Sequence, residues 1–98
     1  MTSKQWRQCD VEWNYIHDSS VAIVMASLKN DEGDTLAYNV IAVMHRRGNK
    51  VILDIFREEC RPKDEMNFRV LRDYQDAMLY IHDNCLIEIS KFMETRLP

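Results

Sequence analysis

Several groups of side chains in this sequence have the types and spacing to do chemistry. His82 and Cys85 stand three residues apart, so on a helix they share a face and offer two ligands to a metal ion. Completing a site would fall to Cys60 or His45, and no second closely spaced pair exists. Cys85 therefore reads better as a small core residue, and no metal site is expected. His45 and Asp54 become diagonal neighbours if the segments around them pair as a hairpin, an arrangement in which a carboxylate can orient a general base. No nucleophile motif accompanies them, so a surface polar pair is the expectation. Asp31, Glu32 and Asp34 surround Gly33 but lack the distal glutamate of a calcium loop, which leaves a solvated turn. Gly33 and Gly48 are the two glycines of the chain, too few for a phosphate-cradling loop. No catalytic residue and no cofactor is assigned, and the chain is read as a non-enzyme.

One basic group carries more weight. Arg46, Arg47 and Lys50 ring the expected hairpin tip, and Arg57 follows on the next strand. Phe56 and His45 on the same strands could stack bases while the cations track phosphates. The charge is distributed unevenly around a formal net charge of −3. Residues 1–45 hold three basic and six acidic side chains, residues 46–72 eight and five, and residues 73–98 two and five. A basic middle between acidic ends suits an anionic partner, although Asp54, Glu58 and Glu59 interrupt it.

These residues need elements to position them. From Leu71 to Phe92 apolar side chains fall at Leu71, Tyr74, Met78, Ile81, Cys85, Ile89 and Phe92, one stripe of a helix at 100° per residue. This predicts one long C-terminal amphipathic helix, with Asp73 as its N-cap and Asp76 three residues on. Leu79, Leu86 and Met93 repeat every seven residues on a flank of that stripe. Tyr80 and Ile87 point nearly opposite it.

The middle reads as strands. Leu36 to Arg47 and Lys50 to Glu59 flank the two-residue turn Gly48-Asn49. That turn pairs Arg47 with Lys50, His45 with Ile52, Val43 with Asp54 and Ile41 with Phe56. One face then carries Ile41, Val43, Ile52 and Phe56 among polar residues. The other carries Tyr38, Val40, Ala42, Met44, Val51, Leu53 and Ile55 and should meet the helix. Val21 to Leu28 is apolar on both alternating sets, which suits a central strand covered on both sides. Phe68 and Val70 suggest a short strand after a loop over Cys60 to Asn67. Residues 4–16 are ambiguous: Cys9, Val11, Trp13 and Tyr15 alternate as a strand, whereas Trp6, Cys9, Trp13 and Ile16 fit a helix. The strand is preferred. The expectation is a single α+β domain over residues 1–98, an antiparallel β-meander of three to five strands packed by one long C-terminal helix.

The apolar surplus gives the functional expectation. Ile41, Val43, Ile52 and Phe56 on one sheet face, and Leu79, Leu86 and Met93 on the helix flank, exceed what a lone small monomer leaves bare. The predicted role is a non-enzymatic protein–protein interaction domain. It would self-associate, as a homodimer, or bind another protein as a regulator or inhibitor of a larger complex. A folded N-terminal segment covering that face is the competing reading.

No apolar run approaches the roughly 18 residues that span a bilayer, so no membrane is expected. Three widely spaced cysteines, an odd number, argue for a reducing, cytoplasmic setting. The first residues lack the apolar stretch of a signal peptide.

Residues 48–92 resemble the single-stranded-DNA-binding transcriptional coactivator family of the positive cofactor type. The similarity lies in Asn49-Lys50-Val51-Ile52-Leu53-Asp54-Ile55-Phe56-Arg57-Glu58 as a strand, then a loop, a short strand at Phe68-Arg69-Val70-Leu71 and one long helix. The resemblance implies a dimer formed partly through the helices, with single strands on the sheet and Lys50 and Arg57 as backbone contacts. The family's Gly/Lys-rich loop is missing here, and the first half of the chain does not match. Single-stranded nucleic-acid binding is therefore the alternative function.

Overall fold

A computed structural model of the chain describes residue 6 and residues 8–16, 20–62 and 68–97. The expected loop over Cys60 to Asn67 therefore falls outside the described residues beyond Pro62, and so do residues 4, 5 and 7 of the N-terminal segment. Five strands form one antiparallel sheet in sequential order. They are β1 (Gln8–Tyr15), β2 (Val21–Lys29), β3 (Thr35–Arg47), β4 (Lys50–Asp54) and β5 (Phe68–Leu71). Two helices follow, α1 (Tyr74–Asn84) and α2 (Leu86–Glu94). The α+β class and the meander hold, and the ambiguous N-terminal segment is a strand. It extends the sheet at its edge beside β2.

The turn works as its composition demands. Gly48 sits at φ +61°, a conformation that L side chains rarely adopt. Arg47 then pairs with Lys50, His45 with Ile52 and Val43 with Asp54. The expected fourth pair, Ile41 with Phe56, does not form, and β4 stops at Asp54. The cause is a bulge. Opposite β2, Val24 pairs with Ala42 and the next residue, Met25, pairs with Val40, so Ile41 is an extra residue in β3. A single insertion reverses the facing of every residue beyond it. Ile41 therefore turns inward and is 0% exposed, as is its neighbour Ala42, while Tyr38 and Val40 turn outward. The prediction that Ile41 lies on the surface, and that Tyr38 and Val40 face the helix, is corrected by that one residue.

Arg57 holds the bulge in place. Its backbone N–H donates to the Ile41 carbonyl at 3.3 Å. Its Nε donates to the Val40 carbonyl and its Nη2 to Asn39 Oδ1, at 3.4 and 3.2 Å. The chain then makes a 3-10 turn over Glu58–Cys60, and Arg61 Nε donates to the Ile55 carbonyl at 2.8 Å to close the loop.

Both helices pack on one face of the sheet, α1 over β4 and β5, and α2 over β1 to β3 and the 3-10 turn. The core between the layers includes Val24, Leu28, Ile41, Met44, Leu53, Ile81 and Ile89. The N-cap expectation holds: Asp73 Oδ1 accepts from the Asp76 backbone N–H at 2.8 Å. The continuous helix does not. Cys85, at φ −121° and ψ −8°, interrupts it. The buried sets differ on the two sides, Tyr74, Ala77, Met78 and Ile81 in α1 against Ile89, Phe92 and Met93 in α2. On an unbroken helix the second set would lie roughly 60° further round. The break lets each helix aim its own stripe at a twisted sheet.

Candidate docking surface

The face of the sheet opposite the helices is built in rows by the strand register. One row runs Val21, His45, Ile52 and Val70 across β2 to β5. The row beside it runs Asn14, Ile23, Val43, Asp54 and Phe68 across all five strands. Beyond the bulge, Glu12, Met25 and Val40 form a third. Eight apolar side chains thus share one surface. Phe68 and Val70 are 46% and 54% exposed, and the others are half-buried by their neighbours in the sheet. No described helix or strand lies over this face.

Charge frames it. Arg47 and Lys50 stand at the hairpin end. Asp10 and Glu12 stand on the outer side of β1, where Lys29 Nζ lies 3.2 Å from Asp10 Oδ2. The side-chain hydrogen bond from Gln8, ahead of the nearby Lys29 ammonium, holds the Asp10 carboxyl below its ordinary range. Between Glu12 and Tyr38 the surface dips into a shallow depression of about 180 Å³, floored by Met25 and Ser27. Tyr38 faces it because the bulge turned Tyr38 outward. Asp54 lies in the middle of the apolar rows, and its Oδ1 is buried without a hydrogen-bond partner. An unpartnered buried carboxylate oxygen is costly and calls for a donor.

The residues singled out from sequence are dispersed by the fold. Val43 and Ile52 share the outer face, Ile41 lies beneath it in the core, and Phe56 stands past the end of β4 at 43% exposure. On the helix flank, Leu79 is 52% exposed and Leu86 half-buried, while Met93 is 0% exposed. The three do not form one surface, because Met93 is covered by the core that α2 packs on while Leu79 is left open on α1. Ile87 is exposed as expected. Tyr80 is half-buried under the Arg69 guanidinium, 4.5 Å from its ring centroid.

The basic group is divided in the same way. Arg47 and Lys50 point to the outer face. Arg46 points to the helix face, its guanidinium 5.1 Å from the Tyr74 ring centroid. Trp13 stacks on Tyr74 at 5.2 Å, and the Tyr74 hydroxyl donates to the Ser20 carbonyl. Arg57 clamps the bulge and lies 5.7 Å from the rings of Phe56 and Phe92. His82 is exposed and Cys85 is buried, so they do not present a common surface. Among the described residues, no three His, Cys, Asp or Glu side chains gather as metal ligands. His45 and Asp54 are diagonal across β3 and β4 and share no hydrogen bond. Asp31 to Asp34 form a turn closed by Asn30, whose Oδ1 accepts from the backbone N–H groups of Glu32 and Asp34.

Sequence reasoning missed Val21, Ile23, Met25, Val40, Phe68 and Val70 as parts of this surface. The signal was present in β2, apolar on both alternating sets, and in the apolar alternation of β5. No known family model, no curated protein and no solved structure matches this chain. The resemblance to the coactivator family thus stands on the quoted residues alone, and the outer face of the sheet is the surface from which function has to be argued.

Proposed function

We propose that this chain is a non-enzymatic protein–protein interaction domain that docks through the outer face of its sheet. The observation that carries the reading is the apolar surface of Val43, Ile52, Phe68 and their neighbours, left open by two helices that both pack on the other side. A contiguous apolar patch rimmed by charge is the usual mark of an interaction site on a small domain. The occupant is a second copy or another protein, and the role that fits is a regulator or inhibitor of a larger complex. A further support is that β1 joins the sheet edge-on and leaves the face as it was.

The test is apolar-dye binding and solution mass, compared between the native chain and Ile52→Glu. Dye binding or association that Ile52→Glu abolishes, with its far-ultraviolet circular dichroism unchanged, supports the reading. A native chain that binds no dye and stays monomeric removes it. Single-stranded nucleic-acid binding, the alternative, gains little from the geometry, since Arg46 and Arg57 are engaged with Tyr74 and with the bulge.

A further inference from the structure

We infer that the occupant of the outer face is a second copy of this chain, packed face to face about a two-fold axis that crosses the strands at Ile52. The inference deepens the docking reading and rests on it. The outward residues of β4 run Lys50, Ile52, Asp54: a cation, an apolar residue and an anion at equal spacing. Such a strand is complementary to itself when turned end for end. A two-fold through Ile52 sets Lys50 of each copy opposite Asp54 of the other, twice over.

The rest of the row obeys the same axis. Val21 on β2 and Val70 on β5 lie level with Ile52, so each meets its own counterpart, and His45 does the same. Val43 falls opposite Arg47, whose methylene stem can cover an apolar neighbour while its head reaches water. Sheets packed in this manner align within about 30° and lie about 10 Å apart, a gap that an extended lysine spans. Closed symmetric dimers use one patch twice, which is the property this strand has.

The Asp54 carboxylate gives the second, independent reason. Its Oδ1 is buried and unpartnered although it lies on the open face. With one oxygen already shut off from solvent, an apolar partner would leave the carboxylate charge uncompensated, whereas the Lys50 ammonium of a second copy sets an opposite charge beside the same carboxylate.

Sedimentation of the full chain over a concentration series tests the arrangement. The native chain is expected to dimerise. Lys50→Asp and Asp54→Lys each set like charges opposite one another and should raise the dissociation constant about tenfold or more. The double variant Lys50→Asp/Asp54→Lys restores opposite charges and should recover most of the native affinity. Asp54→Asn, which keeps the side-chain shape, should also weaken the dimer. A native chain that is monomeric throughout overturns the inference. So does a dimer indifferent to the charge exchange. If Ile52→Glu still dissociates that indifferent dimer, the docking face stands and only this two-fold falls. If Ile52→Glu leaves it intact, both fall.

Discussion

The two faces of the same five strands have opposite fates. On the helix side Ile41, Ala42, Met44, Val51 and Leu53 are completely buried. On the other side Val43 and Ile52, one residue away along their strands, remain only half-buried. Their hydrophobicity is the same, so the difference lies in what packs against them. Hydrophobic pattern alone reports that a residue prefers burial. The number and direction of the covering elements decide whether the chain itself provides it.

The sharpest way to test how the faces are sorted is to remove the extra residue. Deleting Ile41 joins the outward Val40 to the inward Ala42, so β3 alternates without a bulge and both halves keep their facing. What is lost is one fully buried side chain and the carbonyl that accepts from the Arg57 backbone. The expected outcome is a thermal transition that stays cooperative at a markedly lower midpoint; loss of the cooperative transition would show that the facing itself depends on the bulge. Leu53→Ala tests the covered face and should cost about 2–5 kcal/mol in denaturant unfolding. Ile52→Ala, its neighbour on the open face, should cost well under that in the monomer, and equal costs would erase the distinction between the faces.

Arg57→Ala attacks the clamp. Its hydrogen bonds to Val40 and Asn39 are part-buried and charge-assisted, so a loss of about 1.5–3 kcal/mol is expected. Arg57→Lys should recover little of it, because a single ammonium cannot reproduce the planar fork. An unchanged midpoint for either variant would show that the bulge holds itself.

Cys60 gives the gentlest probe of the covered face. Burial, ahead of the neighbouring Glu59 charge, pushes its thiol up to about 12. Its reactive thiolate is therefore scarce at pH 8, and alkylation of the folded chain should be far slower than that of the unfolded chain. Rapid labelling of Cys60 in the native protein, read by mass spectrometry, would mean that the 3-10 turn opens readily.

Much of this was legible in the sequence, and the limits are physical. The Gly48-Asn49 turn set the β3–β4 register because its two-residue length permits few pairings. Asp73 was readable as a cap because capping is local. The bulge at Ile41 was not readable, since it is fixed by Arg57 from sixteen residues away in sequence. The break at Cys85 was hidden for a similar reason. The stripe from Leu71 to Phe92 is continuous, and the sheet's twist divides it. The docking surface was visible only in part: Val43 and Ile52 were found, while Phe68 and Val70 were read as a strand without being placed on a face.

The clamp on the bulge has a consequence for how the sheet keeps its alignment. The tight turn after β3 measures the pairing of β3 and β4 from one end, and Arg57 measures it again from the other. A slip of two residues would preserve the facing of every side chain, and so would pass unnoticed by the hydrophobic pattern. It would still fail at the far end, where a guanidinium would meet the wrong carbonyl. Two rulers at opposite ends of one hairpin therefore guard the one alignment that sets Lys50, Ile52 and Asp54 in their places.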